Sequence, residues 1–184
     1  MSDKRTGTYL SLCNSSYEKK DDDWETPLYI LKDLKDIVPS GSVIFDPFYC
    51  KGHVKKCWNS LGYNCINHDK DAFDLSTHPT QFDYIVSNIP FSKKQKIFKF
   101  FTENYPDKPI IFLIPTESMV SKWIYPYWDK LQFIIPDGRY SFYKDNQKKK
   151  SSMWKNTSWF CFNCNLREKI IKTTLHPSPP TSPK

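Results

Sequence analysis

FDYIVSNIPF, residues 82–91, governs how the rest of the chain is read. Phe82, Tyr84, Ile85 and Val86 make a short, β-prone, apolar run, as expected of a buried strand in a parallel sheet. Where the run stops, a polar amide, a rigid proline and an aromatic follow. In open α/β sheets the carboxyl ends of strands are where ligands bind. The chemistry at this end suits an adenine amine. An exocyclic aromatic amine is a poor nucleophile because its lone pair is delocalised into the ring. Two acceptors placed on its two N–H groups draw the nitrogen toward sp3. Asn88 offers a side-chain carbonyl and Ile89 a backbone carbonyl. Pro90 has no N–H to compete and fixes the turn. Phe91 offers a face on which a flipped base stacks. Taken alone, N-x-P-F is as readily an ordinary strand-to-loop junction, since short motifs have many false positives. The flanking sequence decides.

Upstream, residues 63–67 read as a second strand ending at His68-Asp69-Lys70-Asp71. Asp69 is placed to accept hydrogen bonds from a ribose diol, and Asp71 with Phe73 to hold an adenine edge and face. The plainer alternative is a charged surface turn. Before it, residues 42–45 read as the first strand. That strand runs into Asp46-Pro47-Phe48-Tyr49-Cys50-Lys51-Gly52-His53 and then a helix over 54–61, stopped by Gly62. Strand, loop and helix make a nucleotide-binding arrangement with neither a Walker loop nor G-x-G-x-x-G. Trp24-Glu25-Thr26-Pro27 opens the ordered part. Thr26 is the expected N-cap, Pro27 the first helical position, and Leu28, Leu31 and Leu34 follow at helical spacing to about Val38. A ligand carboxylate at that helix start would add Thr26 and Pro27 to the site.

Downstream, residues 93–101 read as a helix with Ile97, Phe98 and Phe101 inward, and 109–115 as another buried strand. Residues 119–131 are expected to be helical but broken at Pro126. A strand at 132–135 leads to the turn Pro136-Asp137-Gly138-Arg139. Residues 144–155 are lysine-rich, with Trp154 embedded. They read either as a surface loop or as a basic, aromatic flap over a nucleic-acid backbone. Arg139, Lys148, Lys149, Lys150 and Trp154 are the candidate nucleic-acid contacts. The last strand is expected at 158–164. Strands and helices alternate, which predicts an α/β fold: a doubly wound, mostly parallel sheet with an antiparallel edge strand. The expected domain covers 24–168, between a flexible segment at 1–23 and a flexible Pro-rich tail at 169–184.

The 184 residues suit one domain, and the net charge of +7 favours a polyanionic partner. No apolar run approaches the roughly 18–20 residues of a membrane span. A soluble intracellular protein is expected, in cytoplasm or nucleus. The six cysteines are spread along the chain and do not look like a disulfide framework. Cys161 and Cys164 form a C-x-x-C, but residues three apart in a strand face opposite ways. Buried thiols are expected, and no metal.

Taken together, W-x-T-P, then D-P-F-x-x-x-G, then an acid after the second strand, then N-x-P-F resembles the class I S-adenosylmethionine-dependent methyltransferases. Among them it is most similar to the amino-methylating adenine group, including small phage-type DNA adenine enzymes with a late G-R-[IVY]-x-F. The resemblance covers about 24–164. It implies S-adenosylmethionine as cofactor and methyl transfer to adenine N6 in DNA or RNA. It assigns Thr26 and Pro27 to the methionine carboxylate and Asp46, Phe48, Tyr49 and Gly52 to the loop around the cofactor. Asp69 would hold the ribose, Asp71 and Phe73 the cofactor adenine, and Asn88, Ile89, Pro90 and Phe91 the target amine. Cys50 and Lys51 depart from it: they stand where glycine and another small residue are usual, and crowd the loop. Ile89 in place of proline is similar to the ribosomal RNA adenine dimethyltransferases. No sizeable target-recognition domain is read in the sequence, so target selectivity is expected to come from the loops or from a partner subunit, or to be low. Two other readings stay open: an inactive subunit of the same fold that binds nucleic acid and a partner, and an enzyme acting on cytosine N4 or a protein glutamine.

Overall fold

The computed structural model describes residues 24–144, 149–150 and 156–173. The expected flexible segment at 1–23 lies outside the described residues, as does the tail beyond 173. One sheet of seven strands forms the body. β1 (Val43–Phe45) lies between β2 (Asn64–Ile66) and β3 (Tyr84–Asn88). Beyond β3 come β4 (Ile110–Pro115), β8 (Thr157–Phe162), β5 (Leu131–Pro136) and β9 (Ile170–Thr173). A separate pair, β6 (Tyr143–Lys144) and β7 (Lys149–Lys150), makes an antiparallel ribbon. The fold is the expected Rossmann-like α/β one, with two differences. The antiparallel strand, β8, lies inside the sheet between β4 and β5 rather than at its edge. β9 adds in parallel outside β5, so the sheet runs past residue 168, where the tail was expected to begin.

The strands read as near-continuous apolar runs because both faces are covered. All six residues of β4 are buried. Its side chains alternate between two cores. Ile111 and Leu113 pack with α1 (Leu28–Lys32) and α2 (His53–Ser60). Ile110, Phe112 and Ile114 pack with α3 (Lys94–Asn104). α2 buries Val54, Cys57 and Trp58, one stripe at helical spacing. α3 buries Ile97, Phe98, Phe101 and Thr102 in the same way. No α-helix bridges β2 to β3. Only a 3-10 turn (Leu75–Thr77) lies there, and the His78 ring fills the space. His78 stacks on Phe101 at 5.7 Å and bonds Tyr105 Oη at 2.6 Å and the Ala72 carbonyl at 3.1 Å. Burial pushes its pKa down, as befits a structural imidazole.

Three local expectations change. Thr26 does not cap α1: Pro27 occupies the cap position with no side-chain hydrogen bond. Proline's fixed φ serves at the cap as well as one position later. Residues 116–130 form 3-10 turns (Thr116–Val120 and Lys122–Lys130) rather than an α-helix broken at Pro126. A 3-10 path loses less to a proline, because the i−4 bond it forbids was never present. Finally, β8 stops at Phe162, and Asn163 turns the chain at φ 55. Cys164 therefore returns to the face of Cys161, and both pack in the same core. The opposite-faces argument assumed a strand that does not extend so far. Among the described residues no group of three or more side chains could hold a metal ion, and no helix is long and apolar enough to cross a membrane.

Candidate active site

β1, β2, β3, β4 and β5 run in parallel and end at the same edge of the sheet, and antiparallel β8 begins there. This edge gathers the candidate residues. At its β1 end, Asp46 is buried. Its Oδ1 accepts from the Ser87 hydroxyl at 2.6 Å and the Phe48 N–H at 3.1 Å. Burial raises its pKa, the two hydrogen bonds pull it back part of the way, and the net result is about 7. Asn67, at the end of β2, donates through Nδ2 to the carbonyls of Asp46 at 3.0 Å and Phe48 at 3.1 Å. The start of the loop is thus latched to two neighbouring strands.

The loop then turns left-handed for three residues. Cys50, Lys51 and Gly52 have φ of 36, 57 and 70. Only glycine adopts this region without steric cost. The expected crowding is resolved in the backbone rather than by opening the loop. Lys51 points to solvent, and Cys50 Sγ lies 3.7 Å from the Trp24 carbonyl. A side chain on Gly52 would meet the Tyr49 ring at 3.4 Å. The turn delivers the chain into α2.

Not every polar group on this edge is latched. Among the described residues, five buried side-chain polar atoms there have no hydrogen-bond partner: Asn67 Oδ1, His68 Nδ1, Asn88 Oδ1, Ser118 Oγ and Thr157 Oγ1. Buried polar atoms are paired in nearly all native proteins, and a run of exceptions along one edge marks groups kept for something else. Asn88 ends β3, with Ile89 buried and Pro90 and Phe91 half-buried behind it. A 3-10 turn (Phe91–Lys93) then leads into α3.

The other expected site residues are placed less uniformly. Thr26 and Pro27 are buried beside the loop, on a segment held by the backbone bridge between Glu25 and Tyr143. That bridge belongs to a strap, residues 140–143. Tyr140 donates to the buried Asp33 carboxylate. Tyr29 Oη donates to the Ser141 carbonyl at 3.1 Å and accepts from the Ser141 N–H at 2.6 Å. The late G-R-Y-S-F stretch is therefore core and strap from Tyr140 on, with Gly138 and Arg139 exposed at its turn. Asp69 is exposed. Asp71 spends one carboxylate oxygen on the Phe73 N–H at 3.0 Å. The Phe73 ring meets Phe100 edge to face at 5.0 Å, with Lys96 over it at 4.7 Å. Tyr49 is exposed and Phe48 half-buried. Lys149 and Lys150 form β7, whose partner strand starts at the Glu25 bridge. Lys148 and Trp154 lie outside the described residues.

The sequence reading puts Ser87 and Ser118 on the ligand edge without giving them a role, and misses Asn67 and Thr157. Each is a polar residue at or beside the ligand-edge end of an apolar run. That signal is present in the sequence, but it also describes every ordinary strand end.

No family model matches the chain, and no curated protein matches its sequence. Solved structures do resemble it. A Listeria monocytogenes protein described as a class I S-adenosylmethionine-dependent methyltransferase shares 13% identity over 80% of this chain, with a TM-score of 0.45. A dimethyladenosine transferase of Plasmodium falciparum shares 10% over 74%, with a TM-score of 0.44. The chain spans 62% of the length of each. A precorrin-6y C5,15-methyltransferase of Geobacter metallireducens shares 11% over 77% of this chain and 93% of its own, with a TM-score of 0.39.

Proposed function

We propose that the chain is an S-adenosylmethionine-dependent methyltransferase that transfers a methyl group to the N6 amine of adenine in nucleic acid. The observation that carries the reading is Asn88 Oδ1: a buried carbonyl oxygen with no partner, at the end of a central strand, followed by Ile89-Pro90-Phe91. An acceptor left unpaired inside a protein needs an N–H or O–H, and an exocyclic amine supplies one.

The residues at the β1–β2 end fit the cofactor. A left-handed turn at 50–52 keeps the backbone path that small residues would take, and the unpaired carbonyl oxygen of Asn67 would accept from a ligand hydroxyl. Asp46 supplies negative charge close to a net cation. Thr26 and Pro27 would line the methionine end, and Phe48, Tyr49 and Gly52 the loop. When bound, the cofactor supplies a methyl group already activated by the sulfonium charge. Asn88 and the Ile89 carbonyl would then take the two amine hydrogens and hold the nitrogen lone pair toward that methyl. Phe91 would stack on the base, and the buried strand ends exclude water. Asp69, Asp71 and Phe73 would close the adenine end of the cofactor. Arg139 and the β7 lysines would meet phosphates.

The test is calorimetric titration with S-adenosylmethionine, with Asp46→Ala as control, followed by transfer of labelled methyl to adenine-containing DNA and RNA oligonucleotides. Binding that depends on Asp46, with transfer to adenine, supports the reading. Absence of binding at millimolar cofactor overturns it in favour of a subunit that carries nucleic acid to a partner.

A further inference from the structure

The Asn88 side of the edge holds more than an acceptor for an amine. Asn88 Oδ1 and the Ile89 carbonyl, the two atoms that take the amine hydrogens, only accept. The ring nitrogen beside an adenine amine is itself an acceptor, so a pocket lined by carbonyls alone repels it and a donor is needed. Two hydroxyls are available. Thr157 is 2% exposed and Ser118 1% exposed, and neither hydroxyl has a partner.

Their positions follow from the sheet register. Asn88 pairs with Leu113 of β4, and Thr157 pairs with Pro115 of the same strand from the other side. Asn88 and Thr157 therefore flank β4 at its ligand end. They also share a face. Val86 and Trp159 lie in the core under α1 and α2, and Asn88 and Thr157 are each two residues from one of them. Two strand spacings, with the two-residue offset from Leu113 to Pro115, separate their backbones by about 12 Å, a gap that one planar base spans with the reach of the two side chains and a hydrogen bond to each. Ser118 lies in the 3-10 turn that leaves β4 between them. The unpaired state is not general here: the neighbouring Thr116 hydroxyl is satisfied by Ser158 Oγ at 2.8 Å.

We infer that the Thr157 hydroxyl, supported by Ser118, donates to the ring nitrogen beside the amine that Asn88 takes, and so helps to select the base. The inference rests on the function proposed above. Thr157→Val removes only the hydroxyl and keeps the shape. Steady-state methyl transfer to an adenine-containing single-stranded oligonucleotide, cofactor affinity and thermal melting are measured for wild type, Thr157→Val, Thr157→Ser and Ser118→Ala. The expected result for Thr157→Val is a KM for the oligonucleotide raised about tenfold, with cofactor affinity unchanged and melting unchanged or higher. Thr157→Ser restores the wild-type KM. An oligonucleotide with a deaza base lacking that ring nitrogen costs wild type the same factor and costs Thr157→Val nothing further, since the lost partners are the same pair. A Thr157→Val protein with wild-type KM and a raised melting temperature overturns the inference and leaves an unsatisfied core hydroxyl. In that case wild-type transfer to adenine would still stand. A wild type that transfers nothing to adenine removes the proposed function and this inference together. Should Thr157→Val not fold, Ser118→Ala and the deaza base on wild type decide: wild-type KM for both overturns the inference.

Discussion

The two halves of the ligand edge are built on opposite principles. Around Asp46 most polar groups satisfy one another, Asn67 Oδ1 and His68 Nδ1 being the exceptions: Ser87 and the Phe48 N–H hold the carboxylate, and Asn67 Nδ2 holds two carbonyls. Around Asn88 they do not: Asn88, Ser118 and Thr157 each bury an atom with no partner. The first half is a preformed cradle that has its shape before a ligand arrives. The second, under the proposed function, is completed by the base it binds. The difference has a thermodynamic sign. Removing a side chain from the first half breaks bonds and destabilises the fold, whereas removing one from the second relieves an unmet group.

Asn88→Ala gives the largest expected effect. Methyl transfer falls by about 10²–10³-fold, the usual loss when one aligned polar group at a reacting centre is deleted. Cofactor affinity stays at wild type, because the cradle is elsewhere. Melting temperature holds or rises, since the amide oxygen has no bond to lose. A clear fall in melting temperature, measured alongside the transfer assay, would show that Asn88 supports the fold and would erase the contrast.

Asp46 comes next. Its folded pKa, about 7, lies above the ordinary carboxylate value of 3.8. The folded state therefore holds its proton more tightly than the unfolded chain does. Between about pH 4 and 7 the unfolded chain loses this proton first, so stability falls as pH rises through that window and levels off above it. Asp46→Asn keeps an acceptor for Ser87 and Phe48 and removes the titration. The difference in denaturant stability between variant and wild type should widen in the variant's favour from pH 4 to pH 8. A net-cationic cofactor favours the ionised carboxylate, so wild-type binding near pH 6.5 should release protons. Titration in buffers of different ionisation enthalpy detects that release. A variant whose stability tracks wild type at every pH would mean that Asp46 is solvated.

Asn67→Ala should cost about 2 kcal/mol by denaturant melt, since two buried carbonyls lose their shared donor, and should weaken cofactor binding in step. Asn67 also shows how legible the site was in the sequence. Asn88 could be read because N-x-P-F closes an apolar run and follows the other motifs in order; alone it would pass for an ordinary strand end. Asp46 could be read because a β-prone run feeds straight into a loop and a helix. Asn67 could not, because its role depends on β2 lying next to β1, and sheet order is a tertiary fact. Asp69, two residues on, carries the charge that attracts attention, yet it is exposed while the amide is buried. The same limit hid Thr157, which meets β4 only through a pairing 42 residues distant in sequence. The alternation of strands and helices was legible as far as β4; beyond it the helix expected at 119–131 is a pair of 3-10 turns and β9 was not foreseen. The position of the antiparallel strand was not, because a strand's place in a sheet is set by the strands that join after it.

The smallest expected effect separates shape from chemistry within the cradle itself. Cys50 and Lys51 hold left-handed conformations at φ 36 and 57, which cost a side-chain-bearing residue about 1 kcal/mol each. Lys51→Gly should therefore raise stability by up to about 1 kcal/mol, reduced by the greater freedom glycine has in the unfolded chain. Cofactor affinity should be unchanged, because the backbone already follows the path that glycine would take and the Lys51 side chain is in solvent. Denaturant melts and titration calorimetry on the one variant report both quantities. A gain in stability without a change in affinity would mean that the chain tolerates strain in a loop whose shape, not composition, is what binding requires. A gain in affinity would mean that Lys51 does crowd the ligand, and the first half of the edge would be less preformed than its hydrogen bonds imply.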